Sequence, residues 1–467
     1  MEKENFSGTD KLLGEKPVFG LLMKMAVPTM ISMFIQSMYN IVDSIFVTRI
    51  NDNALNAVSL VYPLQNLVLA LSVGIGVGLN SCISRALGAK DGKLANSFAM
   101  HGVLITLVNA VLFILIGLFA TEPFLKLFTD DEQVLAYGVS YGKIVLCFAF
   151  FSLIYIGVEK LLQATGNTFF PMIMQGVGAI INIVLDPLLI FGIWIFPEMG
   201  VAGAAVATII GQGVSCLLAV IYFAFRNGGI KLSFRGYRIS GRELGAIFAV
   251  GIPSSLMIAM PSVLISIMNA ILITVSETAV NFYGIYYKLQ TLIYVPASGL
   301  VQGMRPIVGY NQGAKKYSRM NATVWWSVLV VGSIIFIGSL VFLFLPAQIL
   351  ALFKANDEML KIGVPALRII ASGFLISTLG VILSGAFEAL GMGVRSLLVT
   401  LVRQFVLIPP LAYLLIPAIG LTGAWIAYPV SEVAASALAC AFYFAYLRKI
   451  KRQNNIPKHA RFSEFGY

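Results

Sequence analysis

Two carboxylates, Asp43 and Asp186, lie deep in apolar stretches of this chain, and each comes with polar neighbours at helical spacing. Gln36, Tyr39, Asn40 and Asp43 fall at i, i+3, i+4 and i+7, with Ser32 one turn earlier, so a helix gathers them into one polar stripe. Asn182 and Asp186 are one turn apart. Pro187 removes the amide that would bond the Ile183 carbonyl, which loosens a helix beside the acid. An aspartate placed centrally in a membrane helix costs roughly 2.5–3.5 kcal/mol on insertion scales, so such stripes must face protein or water. One reading is hydrogen-bonding glue between helices. The other is ion binding: a carboxylate beside a freed carbonyl can hold a cation, and two acids in a low-dielectric pocket repel and hold protons more tightly. Either a shared proton or a bound Na⁺ would neutralise them, and a site whose charge changes when an ion arrives is what ion coupling requires.

The elements that position these acids belong to a membrane. Of 467 residues, 58% are apolar and 11% charged, with a mean hydropathy of +0.89, whereas soluble chains carry about 25% charged residues. Stretches long enough to cross a hydrocarbon core of roughly 30 Å fall near 20–46, 56–82, 95–120, 135–158, 169–193, 202–225, 245–272, 279–303, 321–345, 360–387, 396–416 and 421–446. Runs such as Val103 to Phe119 lack the alternation of a barrel wall. The expectation is an all-α membrane protein of twelve transmembrane helices, here called spans 1 to 12.

The chain is written twice. An offset of 225 residues places Pro28 on Pro253, Asn56 on Asn281, Tyr62 on Tyr287, Gln65 on Gln290, Gly74 on Gly299, Gly78 on Gly303, Gly88-Ala89-Lys90 on Gly313-Ala314-Lys315, and Gly166 on Gly391. An even number of crossings per copy makes the repeats parallel: two six-helix lobes around a central cavity. The expected divisions are an N-terminal segment 1–19, a lobe 20–225 (spans 1–6), a basic glycine-containing linker 226–244 with Gly228, Gly229 and Gly236, a lobe 245–446 (spans 7–12) and a basic tail 447–467. The copies part at the acids: Asp43 falls on Met268, and Asp186 has an apolar counterpart near Ile408. A carboxylate kept in one copy alone is not needed by the repeat itself.

Orientation follows the basic residues. Lys11, Lys16 and Lys24, then Arg85, Lys90 and Lys93, the linker bases Arg226, Lys231, Arg235, Arg238 and Arg242, then Lys315, Lys316 and Arg319, Arg395, and Arg448 to Arg452 all fall at one set of helix ends. The other ends carry Asp52, Glu122, Asp130, Asp131, Glu132, Glu198, Glu277, Asp357 and Glu358. The positive-inside rule places both termini in the cytoplasm of a multi-pass cell-membrane protein. Met1 to Lys16 does not read as a cleaved signal peptide. Cys82, Cys147, Cys216 and Cys440 lie far apart in or beside apolar segments, which suggests packing rather than a disulfide framework or a metal cluster. The net charge of +11 is explained by membrane-flanking bases, since no nucleic-acid motif accompanies it. His101 is one of only two histidines, and neither a hydrolytic constellation nor a phosphate-binding loop is present, so an enzyme or a self-contained ATP-driven pump is not expected.

A set of ordered motifs carries a resemblance across nearly the whole chain. Pro28 with the Asp43 stripe, Gly74-x-Gly-x-Gly78 with Ser84-Arg85-x-x-Gly88-Ala89-Lys90, Leu162-Gln-Ala-Thr-Gly166-Asn, Asn182-Ile-Val-Leu-Asp186-Pro187 and Gly203-Ala-Ala-Val-Ala-Thr208 together resemble the multidrug and toxic compound extrusion family, in its DinF/MepA-like bacterial branch. The resemblance implies a secondary antiporter that expels organic cations and drugs in exchange for inward H⁺ or Na⁺, with no cofactor besides that ion, as a monomer among membrane lipids. It implies functional roles for Gln36, Asp43, Tyr141, Asn182, Asp186 and Thr208.

The sequence departs from the family's other bacterial branch, which has acids in the seventh and tenth helices: span 7 here has no carboxylate within its apolar stretch. Glu388 in span 10 is either a coupling group or a capping and interface residue, Glu432 in span 12 is a secondary candidate, and Lys288 in span 8 either pairs with an acid or snorkels. The resemblance implies broad recognition, which falls to the adaptable methionines Met33, Met38, Met257, Met260 and Met268 on the paired spans 1 and 7, with Tyr39 and Asn40 of span 1 and Tyr287 and Gln290 of span 8. Pro253 and Pro261 would bend span 7. A flippase of lipid-linked sugars shares such an architecture and stands as the alternative, with a channel or membrane-embedded enzyme behind it.

Overall fold

A computed structural model describes residues 9–226, 229–233 and 237–454. The first eight residues, Gly228, Arg235 and Gly236 of the expected linker, and residues 455–467 of the tail lie outside the described residues. Within them the chain is helical and has no strand. Spans 1 and 2 are Val18–Thr48 and Asp52–Gly88, span 3 is Gly92–Leu125, and spans 5, 6 and 7 are Phe169–Ile190, Val201–Phe225 and Gly241–Leu272. Spans 9 to 12 are Tyr317–Phe344, Asp357–Ala389, Gly393–Ile419 and Leu421–Gln453. Span 4 is a pair, Glu132–Cys147 and Phe150–Ala164, bent by 40°.

Ten of the described helices are long and apolar enough to cross a membrane, eleven if the bent pair is one span. The remaining member of the twelve, span 8, is the 37-residue helix Glu277–Gly313. It is long enough, but Asn281, Lys288, Gln290, Gln302 and Arg305 dilute its apolar content, and it packs against spans 1, 2, 9 and 10 in the interior. Span 3 contains a π-helical stretch, Ile116–Ala120, and span 11 another, Val402–Val406. Span 5 continues through Pro187 to Ile190, and span 7 runs unbroken through Pro253 and Pro261.

The repeat is visible in how the helices begin and end. Asn51 caps span 2 by accepting the Ala54 amide at 2.7 Å, and Ser276, at the equivalent place, accepts the Ala279 amide at 3.3 Å before span 8. Asp131 and Asn356 do the same for spans 4 and 10. At the other ends, Gly166 and Gly391 turn the chain with φ of 90° and 78°, a left-handed backbone that glycine adopts without a Cβ penalty.

The lobes touch along spans 1 and 8 and spans 2 and 7. Their contact is set by glycines in the second halves of spans 2 and 8. A Cβ on Gly78 would overlap the Ile247 carbonyl and stand 2.9 Å from the Gly251 nitrogen, and one on Gly74 would strike Ser255. Gly299 and Gly303 lie equally close to Met30 and Ala26, and Gly88 and Gly313 meet the Tyr310 and Arg85 carbonyls. Thr29 Oγ1 donates to the Gly299 carbonyl at 2.6 Å, and Ser81 Oγ to that of Ala389 at 3.0 Å, both across the lobes. The bundle is therefore sealed at the end where span 1 begins and span 2 ends. Toward the other end, Tyr62 and Lys288 are exposed.

Candidate functional site

The acid site is assembled where spans 1, 4, 5 and 6 converge. Spans 5 and 6 approach through a glycine pair: a Cβ on Gly178 would overlap Ser215 Oγ, and one on Gly211 would stand 2.6 Å from the Gly178 carbonyl. One turn beyond Gly178 is Asn182, and one turn before Gly211 is Thr208, so close backbone packing brings the two side chains together. Asn182 Nδ2 donates to Thr208 Oγ1 and to Asp186 Oδ1, each at 3.3 Å. Asp186 is wholly buried, and Asn182, Thr208 and Tyr141 nearly so.

Span 1 brings the second acid. Asp43 lies within electrostatic reach of Asp186, and Tyr39, one turn before it, has its hydroxyl beside Thr208 and near both carboxylates. Tyr141 completes this side, its hydroxyl accepting from Gln65 Nε2 at 3.2 Å. The structure thus joins Asp43, Tyr39, Tyr141, Asn182, Asp186 and Thr208. Gln36, one turn further along the stripe, is half-buried and forms no hydrogen bond to this set, and Asn40 is exposed.

The arrangement is rich in acceptors and poor in donors. Asp43 Oδ1, Asp186 Oδ2 and Asn182 Oδ1 are each buried without a hydrogen-bond partner. A buried acceptor left unpaired forfeits its hydration without compensation, and three in one cluster, two of them on carboxylates, call for a positive species. A proton on one carboxyl or a small cation among the three oxygens would satisfy them.

The other candidates scatter. Met33 Sδ accepts from Gln302 Nε2 at 3.1 Å, and Met257 Sδ accepts from Thr400 Oγ1 at 3.2 Å and Ser396 Oγ at 3.4 Å, so both sulfurs are held in place. Met260 and Gln290 are half-buried, and Met268 is wholly buried in the C-terminal lobe. Glu432 is buried with Oε2 unpartnered. Lys288 is exposed.

Glu388 joins spans 7, 8 and 10 within the C-terminal lobe. Its Oε2 pairs with Arg305 Nη2 at 2.5 Å, and its Oε1 accepts from Ser254 Oγ at 2.6 Å. A neighbouring cluster went unread in the sequence: Lys160, 3% exposed, bonds Gln302 Oε1 at 2.9 Å across the lobes and Gln163 Oε1 at 3.2 Å, with Glu159 Oε2 at 3.3 Å. Removing one partner of a buried pair leaves an uncompensated charge and costs about 3–5 kcal/mol. Glu388→Ala is therefore expected to lower the thermal midpoint of the purified protein sharply, and Glu388→Ala with Arg305→Met to recover much of the loss. A single variant as stable as the native chain would contradict this.

Comparison with known proteins agrees with the fold and the repeat. The chain is 26% identical over 439 residues to the multidrug export protein MepA of Staphylococcus haemolyticus, spanning 93% of this chain and 95% of that one. It is 29% identical over 411 residues to MepA of Staphylococcus saprophyticus, spanning 87% and 89%. A solved structure described as the outward-facing conformation of a multidrug resistance MATE family transporter superposes with a TM-score of 0.88 at 25% identity, over 95% of this chain and 98% of that one. The MatE family model matches twice, over residues 28–188 and 253–414, the two matches starting at Pro28 and Pro253 with the same 225-residue offset. With both halves of the repeat matched by that model, the chain belongs to the MatE family, as a multi-pass cell-membrane protein.

Proposed function

We propose that this protein is a secondary antiporter that exports organic, mostly cationic and amphipathic compounds in exchange for inward H⁺ or Na⁺ by alternating access. The observation that carries the reading is the cluster of unpartnered oxygens on Asp43, Asp186 and Asn182, confined to one lobe. Its relatives are named as multidrug export proteins, which supports the substrate class and speaks against covalent chemistry.

In this reading the sealed end, with its flanking lysines and arginines, faces the cytoplasm, and the structure corresponds to the state open to the outside. Asp43 and Asp186 take up the ion there, with Asn182 and Thr208 holding Asp186 in place and Tyr39 and Tyr141 closing the pocket. Neutralising the pair changes how span 1 packs against spans 5 and 6 and lowers the hold on a cationic substrate in the cavity. After the lobes rock, the ion leaves to the cytoplasm and the next substrate loads. Exchange needs ion and substrate to favour different states or compete for one charge, because equal affinity for both states shifts nothing.

The test is flux in reconstituted liposomes with Na⁺ and pH gradients imposed separately. Export of an organic cation such as ethidium should follow one or both gradients, and substrate should in turn stimulate ion flux. Steady current without exchange, or activity only on a lipid-linked sugar, would overturn the reading.

A further inference from the structure

The sealed end of the bundle carries a feature that neither repeat needs and that the ion site does not use. Before span 1 the chain forms one π-helical turn, Asp10–Glu15, lying across the line where the lobes meet. Leu13 and Gly14 are buried in it. On the side of the C-terminal lobe, the Tyr310 hydroxyl donates to Asp10 Oδ1 at 2.5 Å, Asn311 Nδ2 to the Leu13 carbonyl at 3.2 Å, and Lys316 Nζ to the Gly14 carbonyl at 3.0 Å. Arg319 Nη2 donates to the Lys16 carbonyl at 2.6 Å. On the side of the N-terminal lobe, Lys90 Nζ pairs with Asp10 Oδ2 at 3.3 Å. There the Leu12 and Leu13 side chains lie against Gly166, so closely that a Cβ on that glycine would stand 2.7 Å from Leu12.

One carboxylate thus holds a residue of each lobe, and one short segment packs on both. Lys90 and Tyr310 flank the place where Gly88 meets the Tyr310 carbonyl, so separating the lobes here pulls Asp10 away from one partner or the other. The segment is tied to span 1 through Lys16 and Pro17, and span 1 carries Asp43.

We propose that residues 10–16 are a latch that holds this end of the bundle shut and must release before it opens. The proposal rests on the alternating-access reading above. The latch is insensitive to ordinary pH change. The Tyr310 hydroxyl first, then Lys90 and Lys316, hold the Asp10 carboxyl below the usual carboxylate range against the opposing effect of partial burial, with Glu15 the remaining acid beside Tyr310. A lowered value means that the contribution is full above the usual carboxylate range and is lost only as pH falls through the lowered one. Between pH 6 and 8 the latch stays engaged, leaving any response to a proton gradient to other groups.

The test is a distance between spin labels at Lys93→Cys and Val394→Cys, one on each lobe at this end, in the full chain with its four native cysteines replaced and reconstituted in lipid. The native latch should give mainly the short distance. Asp10→Ala should raise the long-distance fraction severalfold, and Tyr310→Phe, which removes a single hydroxyl and leaves Lys90 in place, should raise it less. Both variants should keep the native thermal midpoint to within a few degrees. If substrate or ion populates the long distance but neither variant changes its fraction, the latch is wrong and the transport reading stands. If no condition populates the long distance in any variant, the alternating-access reading fails, and the latch with it.

Discussion

Asp43→Asn is expected to abolish ion-driven efflux while leaving a folded protein. The substitution keeps the size of the side chain and its place on the stripe of span 1, but removes the only charge that span 1 contributes to the acid site. Coupling is the difference in ion affinity between the two states, each tenfold of which is about 1.4 kcal/mol. With Asp43 neutral throughout, the ion no longer changes the charge that span 1 presents to Asp186 and to substrate, so the linkage between gradient and export disappears. Stability should be unchanged or higher. A half-buried carboxylate whose Oδ1 lacks any donor is a burden on the fold, and an amide in its place is less costly to bury. A stable protein that cannot use a gradient separates this reading from a structural role, in which loss of the side chain would lower the melting temperature. Full retained efflux in liposomes under either imposed gradient would sink the assignment.

The acid site was legible in the sequence for a physical reason. Membrane helices have regular geometry and few reasons to hold polar groups, so spacing alone gathered Tyr39 with Asp43 and Asn182 with Asp186, and the structure brings the two stripes together. Tyr141 and Thr208 came only through the resemblance, since a lone tyrosine or threonine in an apolar helix carries no signal by itself; the Gly178 and Gly211 contact that delivers Thr208 to Asn182 is a property of two packed helices. The charges near the sealed end were hidden by boundaries. Hydropathy ended spans 4 and 8 near 158 and 303, which left Glu159, Lys160 and Arg305 looking like loop residues. The helices run on to Ala164 and Gly313, and those charges are paired inside the protein. Polar content also explains why span 8 is the least membrane-like of the twelve: Gln302 and Arg305 face protein, where hydrogen bonds replace water, while Asn281 and Lys288 are exposed.

Glycines at the lobe contact give a second large effect, and one that differs in kind from glycines inside a lobe. Gly78→Val and Gly88→Val each add a side chain where the facing atoms are backbone: the Ile247 carbonyl for the first, the Tyr310 carbonyl for the second. Backbone in a packed helix cannot rotate away, so the clash is relieved only by moving one lobe off the other. Gly178→Val meets the same kind of obstacle at Gly211, but within the N-terminal lobe, where there is no second arrangement to retreat to. Overpacking typically costs about 1–3 kcal/mol. Inside a lobe that cost falls on folding, so Gly178→Val should lower the thermal midpoint and the yield of folded protein. At the lobe contact it falls on one state of a two-state equilibrium, where 1–3 kcal/mol is a shift of about 5–150-fold in population. Moving fully from one state to the other takes about 5.5 kcal/mol, so one substitution biases the cycle and Gly78→Val with Gly88→Val together should hold the sealed end open. The double variant is expected to show long distances between labels on the two lobes at this end, a melting temperature close to native, and efflux at background. Short native distances with full efflux would mean that these glycines serve packing alone; a collapse in melting temperature equal to that of Gly178→Val would mean that the two lobes fold as one body and do not rock at this contact.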